Sequence, residues 1–354
     1  MSRAGRYDGG ARRPAVAGMP KGRAPRRRRI WHDVPVNGYL IAKDGSAATM
    51  DSQSVRHLLD EGELLWLDLY RPDADELGLL TTVFGIHQLA VEDAEQFGQR
   101  PKLEDYDDFT QLIAYGVEDA GESLVEVHCF YSERYLVTVR HGDCAAFAEV
   151  RARLGHGPRP KPLSRLLLLH HILDELTDGF FPVLSTFDDR VDQLQDEIFA
   201  KPTDEQLSEL FTRKRWLIGV RKVITPQRDL IASLVSGVTD LPGMTREIER
   251  YFRDLYDHLI RISDLVDSYR DLLTGSMDAY LSTVSNRLNV VMKQLTVIAT
   301  IFLPLSFITG FFGQNFAWMV QRIGGLPAFL VIGLGGELAV VAGMLVLFRR
   351  RGWL

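Results

Sequence analysis

Stepping alternately by four and three residues from Asp278 picks out Asp278, Ser282, Ser285, Asn289, Met292, Thr296, Ala299, Leu303, Ser306, Gly310 and Gly313. This row is small and polar, whereas the positions beside it carry Val, Ile, Leu and Phe. A 3.5-residue repeat keeps one face of a helix turned to the axis of a left-handed bundle. The row offers hydroxyl and amide oxygens and one carboxylate, with no Lys or Arg, a donor set that suits hard cations and not anions. It ends in FFGQNF, where Gly313, Gln314 and Asn315 stop an apolar run. Several copies of Asn315 at a pore mouth would form a ring of neutral carbonyl oxygens. Such a ring holds Mg²⁺ through the waters it is slow to lose. Gly313 is expected to let the backbone turn closely there. For any single position, close helix packing or a hydroxyl bonded back to its own helix is the simpler reading. The whole row, with Asp278 and Asn289 below and Asn315 above, reads as a water-filled axial path.

Two membrane-length segments must position that row. Residues 295–312 contain no charge, and 326–348 contain one, Glu337, eleven residues from either end. Eighteen and twenty-three residues suffice to span a bilayer, and the thirteen-residue link 313–325 makes the two spans an antiparallel pair. Lys293 precedes the first span and Arg349, Arg350 and Arg351 follow the second, so both flanks are expected in the cytoplasm and the link outside. A charge at mid-bilayer costs about 2.5–3.5 kcal/mol on insertion scales. Glu337 is therefore expected to be neutral or paired with a neighbouring helix, and it is the candidate for a proton-linked step.

Upstream, the chain divides into a basic tail (1–30), a cytoplasmic α/β domain (31–160) and a long-helix stalk (161–294), with a basic tail (349–354) closing it. The first thirty residues hold ten Lys/Arg against one acid, so the remainder of this net −6 chain is strongly acidic. That tail lacks an apolar signal core and is expected to be a disordered extension. No nucleic-acid-binding fold follows it. ELLWLDLY, FTQLIAYGV, LVEVHCFY and YLVTVRH read as strands, and Asp73 as the cap of a helix between them. Residues 163–199 and 203–235 read as two amphipathic helices forming an antiparallel pair. A third helix begins near Thr245 with no break before Phe312, about 68 residues or roughly 100 Å, too long to bury itself within one chain. Pro304 is expected to bend or weaken it. Asp188, Asp189, Asp192, Asp196 and Glu197 read as a solvated face, and the adjacent His170 and His171 point in different directions. Cys129 and Cys144 show no metal or disulfide spacing, and no nucleophile–base, phosphate-loop or HExxH motif suggests an enzyme.

The segment 251–316, with VEDAEQFGQRPKLEDYDDF upstream and RRRGWL at the end, resembles the CorA family of divalent-cation channels. The resemblance implies an α+β cytoplasmic domain, a stalk helix and two spans assembled as a homopentameric funnel, without a cofactor. It implies Mg²⁺, and often Co²⁺ or Ni²⁺, as substrate, and Mg²⁺ again as the regulatory ligand that closes the pore from between subunits. The family's Gly-Met-Asn signature falls on Gly313, Gln314 and Asn315, the expected selectivity filter. Ser306 and Asn289 take the polar rings, Met292 and Leu295 the hydrophobic constriction, Leu303 a further narrow point and Asp278 the cytosolic acidic ring. Ser285, Thr296, Ala299 and Gly310 line the path between them. The regulatory site would use Asp93 and Asp254.

Three departures stand out: Gln314 replaces the signature methionine, the link carries Arg322 and no acid, and Glu337 lies in the second span. They leave room for a proton-linked Zn²⁺ transporter of the same fold. A membrane-anchored coiled-coil sensor that conducts nothing is the reading from another class, and it would call for an apolar seam where the polar row runs.

Overall fold

Segments rich in β-branched and aromatic residues build the central hairpin of β4 (Phe109–Val117) and β5 (Leu124–Tyr131), paired antiparallel from Thr110–Tyr131 to Val117–Leu124. They sit in a six-stranded sheet ordered β1 (Gly38–Ala42), β2 (Leu64–Tyr70), β6 (Leu136–Arg140), β5, β4, β3 (Lys102–Tyr106). Only β2 and β6 run parallel. This computed structural model describes residues 38–43, 51–118, 123–155, 164–314 and 316–353. The basic tail and Asn315 lie outside them.

The four strand-like stretches read from the sequence correspond to β2, β4, β5 and β6, whereas β1 and β3 carry a weaker signal. β3 reads KLEDY, a charged edge that discourages pairing with another sheet. Both faces of the sheet are covered, so β4 and β6 are buried along their whole length instead of alternating. On one face α1 (Ser52–Asp60), α2 (Ala74–Thr82) and α3 (Gln88–Gln96) cover Leu67, Leu69, Phe130, Val137 and Val139. Asp73 caps α2, accepting from the Glu76 amide while Glu76 returns a bond to the Asp73 amide. The other face packs on α4 (Ala145–Gly155), α5 (Arg165–Asp178) and the long helices. At the β2–β6 seam, fully buried Asp68 accepts from Thr138 Oγ1 at 2.8 Å and pairs with Arg140 at 3.1 Å. Removing one partner of such a pair costs about 3–5 kcal/mol.

The first helical stretch divides at Gly179 into α5 and α6 (Phe180–Ala200), with Pro182 in the first turn of α6, where its missing amide hydrogen costs least. α7 (Asp204–Val235) follows, and its main partner is α8 (Arg246–Phe312) rather than α6. Arg228 meets Ser263, Arg221 meets Asp267 and Asp204 meets Tyr280, so α7 and α8 run antiparallel. Phe252, Leu255, Leu259, Ile262, Val266, Leu273 and Tyr280 form the buried seam of α8, at coiled-coil spacing.

α8 is one helix of 67 residues, capped by Thr245 and continuous through Pro304. Beyond it come the short α9 (Ala317–Arg322) and the second span, α10 (Leu326–Arg350), which contains a π-helical stretch at Phe329–Leu334. The left-handed glycine of the link is Gly325, with φ +97°, while Gly313 keeps a helical φ of −76°. The expected turn at Gly313 is thus a simple helix end, and the backbone reversal that needs glycine lies twelve residues later.

Candidate cation path and regulatory cluster

On α8 every member of the polar row from Asp278 to Gly313 is exposed in the single chain. Val297 is buried and Thr300, Ile301, Pro304, Leu305 and Ile308 are half-buried on the side that meets α10. At about 100° per residue these two faces lie roughly 150° apart. The second span therefore packs behind the first and leaves the row free. Met292 and Leu295 are each 58% exposed and Leu303 75%, apolar side chains left largely uncovered by the described residues. The hydroxyls of Thr296, Thr300 and Thr309 donate back to carbonyls four residues earlier, at 2.7–2.8 Å. These bonds leave the hydroxyl oxygens as acceptors.

Near the mouth, the Gly313 amide donates to the Thr309 carbonyl at 2.8 Å and the Gln314 amide to the Phe311 carbonyl at 3.3 Å. Gln314 borders a cleft of about 330 Å³ that also touches Met319, Ile323, Phe329 and Gly333. Glu337, half-buried, lies 2.8 Å from the Thr309 hydroxyl, a contact between the two spans. At the opposite end of the two spans Lys293 donates to the Gly352 carbonyl at 2.9 Å, and Trp353 stacks on Phe348. The start of the row is braced by the α6–α7 tip, where Gln195 reaches Ser276 at 2.8 Å and Arg287 reaches the Ala200 carbonyl at 2.9 Å.

The regulatory residues expected from the sequence lie on separate elements. Asp93, on α3, pairs with Lys102 at 2.7 Å, and Lys102 also holds Glu104 at 2.8 Å. Burial works against the charged Lys102, but its bonds to Asp93 and Glu104 prevail and hold its pKa above the usual lysine value. Asp254 is exposed on the lower part of α8.

Close to Asp254 is a cluster that the sequence reading missed. Asp174, Asp178 and His258 bring one ligand atom each within 4.8 Å of one another. His258 Nδ1 lies 2.9 Å from Asp178 Oδ1 and 3.8 Å from Asp174 Oδ1. All three atoms are shielded from solvent without a well-formed hydrogen bond, a demand that a cation or its waters would satisfy. Burial, then the charge of Asp178, pushes the Asp174 carboxyl up to about 6, with His258 opposing and Asp254 adding to the rise. The signal was present as two i, i+4 pairs, Asp174 with Asp178 and Asp254 with His258, each on one helix face.

The other acids and histidines behave differently. Glu197 is tied to Arg190 at 2.9 Å, and Asp189, Asp192 and Asp196 stay solvated. His170 is buried and donates from Nε2 to the Tyr251 carbonyl, while burial, then His170 and Arg153, drive His171 down to about 4. The two adjacent histidines share no site with the acidic cluster.

The description "CorA-like Mg2+ transporter protein" matches residues 61–350. The chain is 32% identical over 350 residues to the cobalt/magnesium transport protein CorA of Thermotoga maritima, covering 96% of this chain and 98% of that one. It is 35% identical over 288 residues to the putative metal ion transporter YfjQ of Bacillus subtilis, with 81% and 89% covered. Among solved structures, the CorA magnesium transporter of Methanocaldococcus jannaschii superposes with a TM-score of 0.76 over 90% of this chain and 99% of that one. At 23% identity that likeness speaks for the fold alone.

Proposed function

The chain belongs to the family of CorA-like Mg²⁺ transporter proteins, and from that premise we propose a homopentameric channel that passes Mg²⁺ into the cell down its electrochemical gradient. Co²⁺ and Ni²⁺ are the further ions it would take. The observation that carries this reading is the direction of the polar row, exposed on α8 and turned away from the second span. Five such helices, each backed by its own α10, would enclose the row and place α10 against lipid.

In that assembly Asp278 and Asn289 gather hydrated cations at the cytosolic end. Met292, Leu295 and Leu303 narrow the path, and a hydrophobic constriction gates by losing its water. Ser306, Thr296 and Ser285 offer oxygens between, with Ala299 and Gly310 keeping the bore open. Gly313, Gln314 and Asn315 form the filter as a GQN variant of the signature. With Arg322 and no acid in the link, amide dipoles supply the attraction that a ring of external carboxylates would otherwise give. Both termini lie in the cytoplasm.

Closure follows when cytosolic Mg²⁺ binds between subunits, with Asp93 of one chain facing Asp254 of the next. Asp174, Asp178 and His258 extend this site: their carboxylates suit Mg²⁺ held through water, and the imidazole adds affinity for Co²⁺ or Ni²⁺. Mg²⁺ at Asp93 has to displace Lys102 from that carboxylate. The proton-linked Zn²⁺ transporter is kept as a second reading by Glu337, an acid within the second span that engages Thr309 of the pore helix.

Purified protein in liposomes, read with Mg²⁺ and Zn²⁺ dyes with and without a pH gradient, separates these. Mg²⁺ entry without a proton gradient that is lost in Asn315→Ala supports the channel. Zn²⁺ entry only with a proton gradient replaces it by the transporter, and silence for both ions removes the pore.

A further inference from the structure

Thr309 is held at both ends. Its carbonyl accepts from the amide of Gly313, the first residue of the GQN motif and the point where α8 turns off, at 2.8 Å. Its hydroxyl lies 2.8 Å from the Leu305 carbonyl and 2.8 Å from Glu337 Oε1 of the second span. One residue thus links the second span to the turn, and among the described residues no other hydrogen bond between side chains joins the two spans.

A hydroxyl carries one hydrogen, and a carbonyl can only accept. Both contacts of Thr309 are satisfied together when the carboxyl is protonated: Glu337 donates to the Thr309 oxygen, and Thr309 donates to Leu305. A carboxylate would draw off the hydroxyl hydrogen and keep its charge in an apolar span, at the cost given above. Glu337 also follows directly on a π-helical stretch and Gly335-Gly336. π-Helical turns of this kind collect at functional sites. A Cβ at Gly336 would meet nothing within 4 Å, so the glycines are not there to bring these two helices of one chain together.

We propose that Glu337 is a positioning residue for the filter: as a neutral hydrogen-bonding group it fixes Thr309, and through Thr309 the height and angle of the GQN turn. It moves no proton during transport. This inference rests on the channel reading, because it assigns Glu337 a task at that channel's mouth.

The test measures Mg²⁺ influx, Mg²⁺-over-Na⁺ selectivity and the pH profile in liposomes, for wild type, Glu337→Gln, Glu337→Leu, Thr309→Val and Thr309→Ser. Neither span holds any other Asp, Glu, His, Lys or Arg, so a pH response arising within the membrane is assignable to Glu337. Glu337→Gln keeps the donor and is expected to match wild type in all three readouts. Glu337→Leu and Thr309→Val are expected to lose selectivity and flux by roughly three- to tenfold, the range an interhelical hydrogen bond in a membrane supports. Thr309→Ser should restore both, and the double variant Glu337→Leu/Thr309→Val should be no worse than either single change. An infrared band of a protonated carboxyl, present in wild type at neutral pH and missing in Glu337→Gln, gives a readout independent of transport. Should Glu337→Leu fail to assemble, the two Thr309 variants leave the acid in place and carry the test.

A Glu337→Leu or Thr309→Val protein that conducts and selects like wild type overturns the proposal. So does a Glu337→Gln protein with a flattened pH profile, which would make the acid a proton carrier. A wild type that conducts nothing overturns the channel reading first and this inference with it, an outcome distinct from a conducting wild type with indifferent variants.

Discussion

The lower and upper halves of α8 belong to one unbroken helix but are stabilised by different neighbours. From Phe252 to Tyr280 a buried seam packs on α5, α6 and α7. From Leu281 to Phe312 only Val297 is buried, and Leu288, Val290, Val291, Ile298, Phe302 and Phe307 are all exposed. A run of exposed apolar side chains this long marks a surface made for other partners, which in the proposed assembly are lipid and further copies of the chain. In the proposed channel, stability and conduction thereby fall to successive stretches of the same element.

Truncating the seam should have the largest effect. Leu259→Ala is expected to cost about 2–5 kcal/mol in a denaturant titration of the detergent-solubilised protein, and a loss below about 1 kcal/mol would break the contrast.

Next comes pH at the base of α8. The folded chain holds the Asp174 carboxyl at about 6, above its ordinary 3.8, so between those values the folded state binds more protons than the unfolded one. Without a cation, stability should then rise as pH falls from 6 toward 3.8. A cation needs the ionised form. Its affinity should be full above pH 6 and fall by up to about tenfold per pH unit below it, with a proton released on binding. Calorimetric Mg²⁺ titration on either side of that pH checks this, and Asp174→Asn should flatten the profile.

Lys102→Met frees Asp93 from its partly buried partner and should raise the regulatory affinity by about two- to fivefold, seen as channel closure at lower cytosolic Mg²⁺. An unchanged closure point would detach Asp93 from regulation.

The smallest effect on stability belongs to the upper half. Leu303→Ala trims a side chain that is 75% exposed and should stay within about 0.5 kcal/mol of wild type. In liposomes the same change should increase leak at high cytosolic Mg²⁺. A large loss of stability there would mean that the upper half is held by its own chain after all.

Much of this was legible in the sequence because the signals are local. Richness in β-branched and aromatic residues marked β4 and β5, Asp73 marked a cap, and uninterrupted helical spacing from Thr245 gave the length of α8. The polar row was readable because period alone decides which residues share a helix face. What escaped depends on which surfaces meet. α7 chose α8 over α6, and the Asp174–Asp178–His258 cluster exists only because α5 lies along α8. Glu126, bonded to the Gly98 and Gln99 amides, Tyr115 and His128 beside the turn after α3, escaped for the same reason. At Gly313 the helix ends in a turn whose backbone stays right-handed, and the positive φ that calls for glycine lies at Gly325, a choice that depends on how the link packs.

The unbroken course of α8 has a mechanical consequence. Asp254 and Gly313 are 59 residues apart on one rod, about 90 Å at 1.5 Å per residue. A tilt of only about 2° at the base displaces the far end by about 3 Å, the breadth of a water molecule. In the proposed channel, a bound ion that shifts the foot of each rod slightly would thus have, in length alone, the leverage required to change the width of the bore.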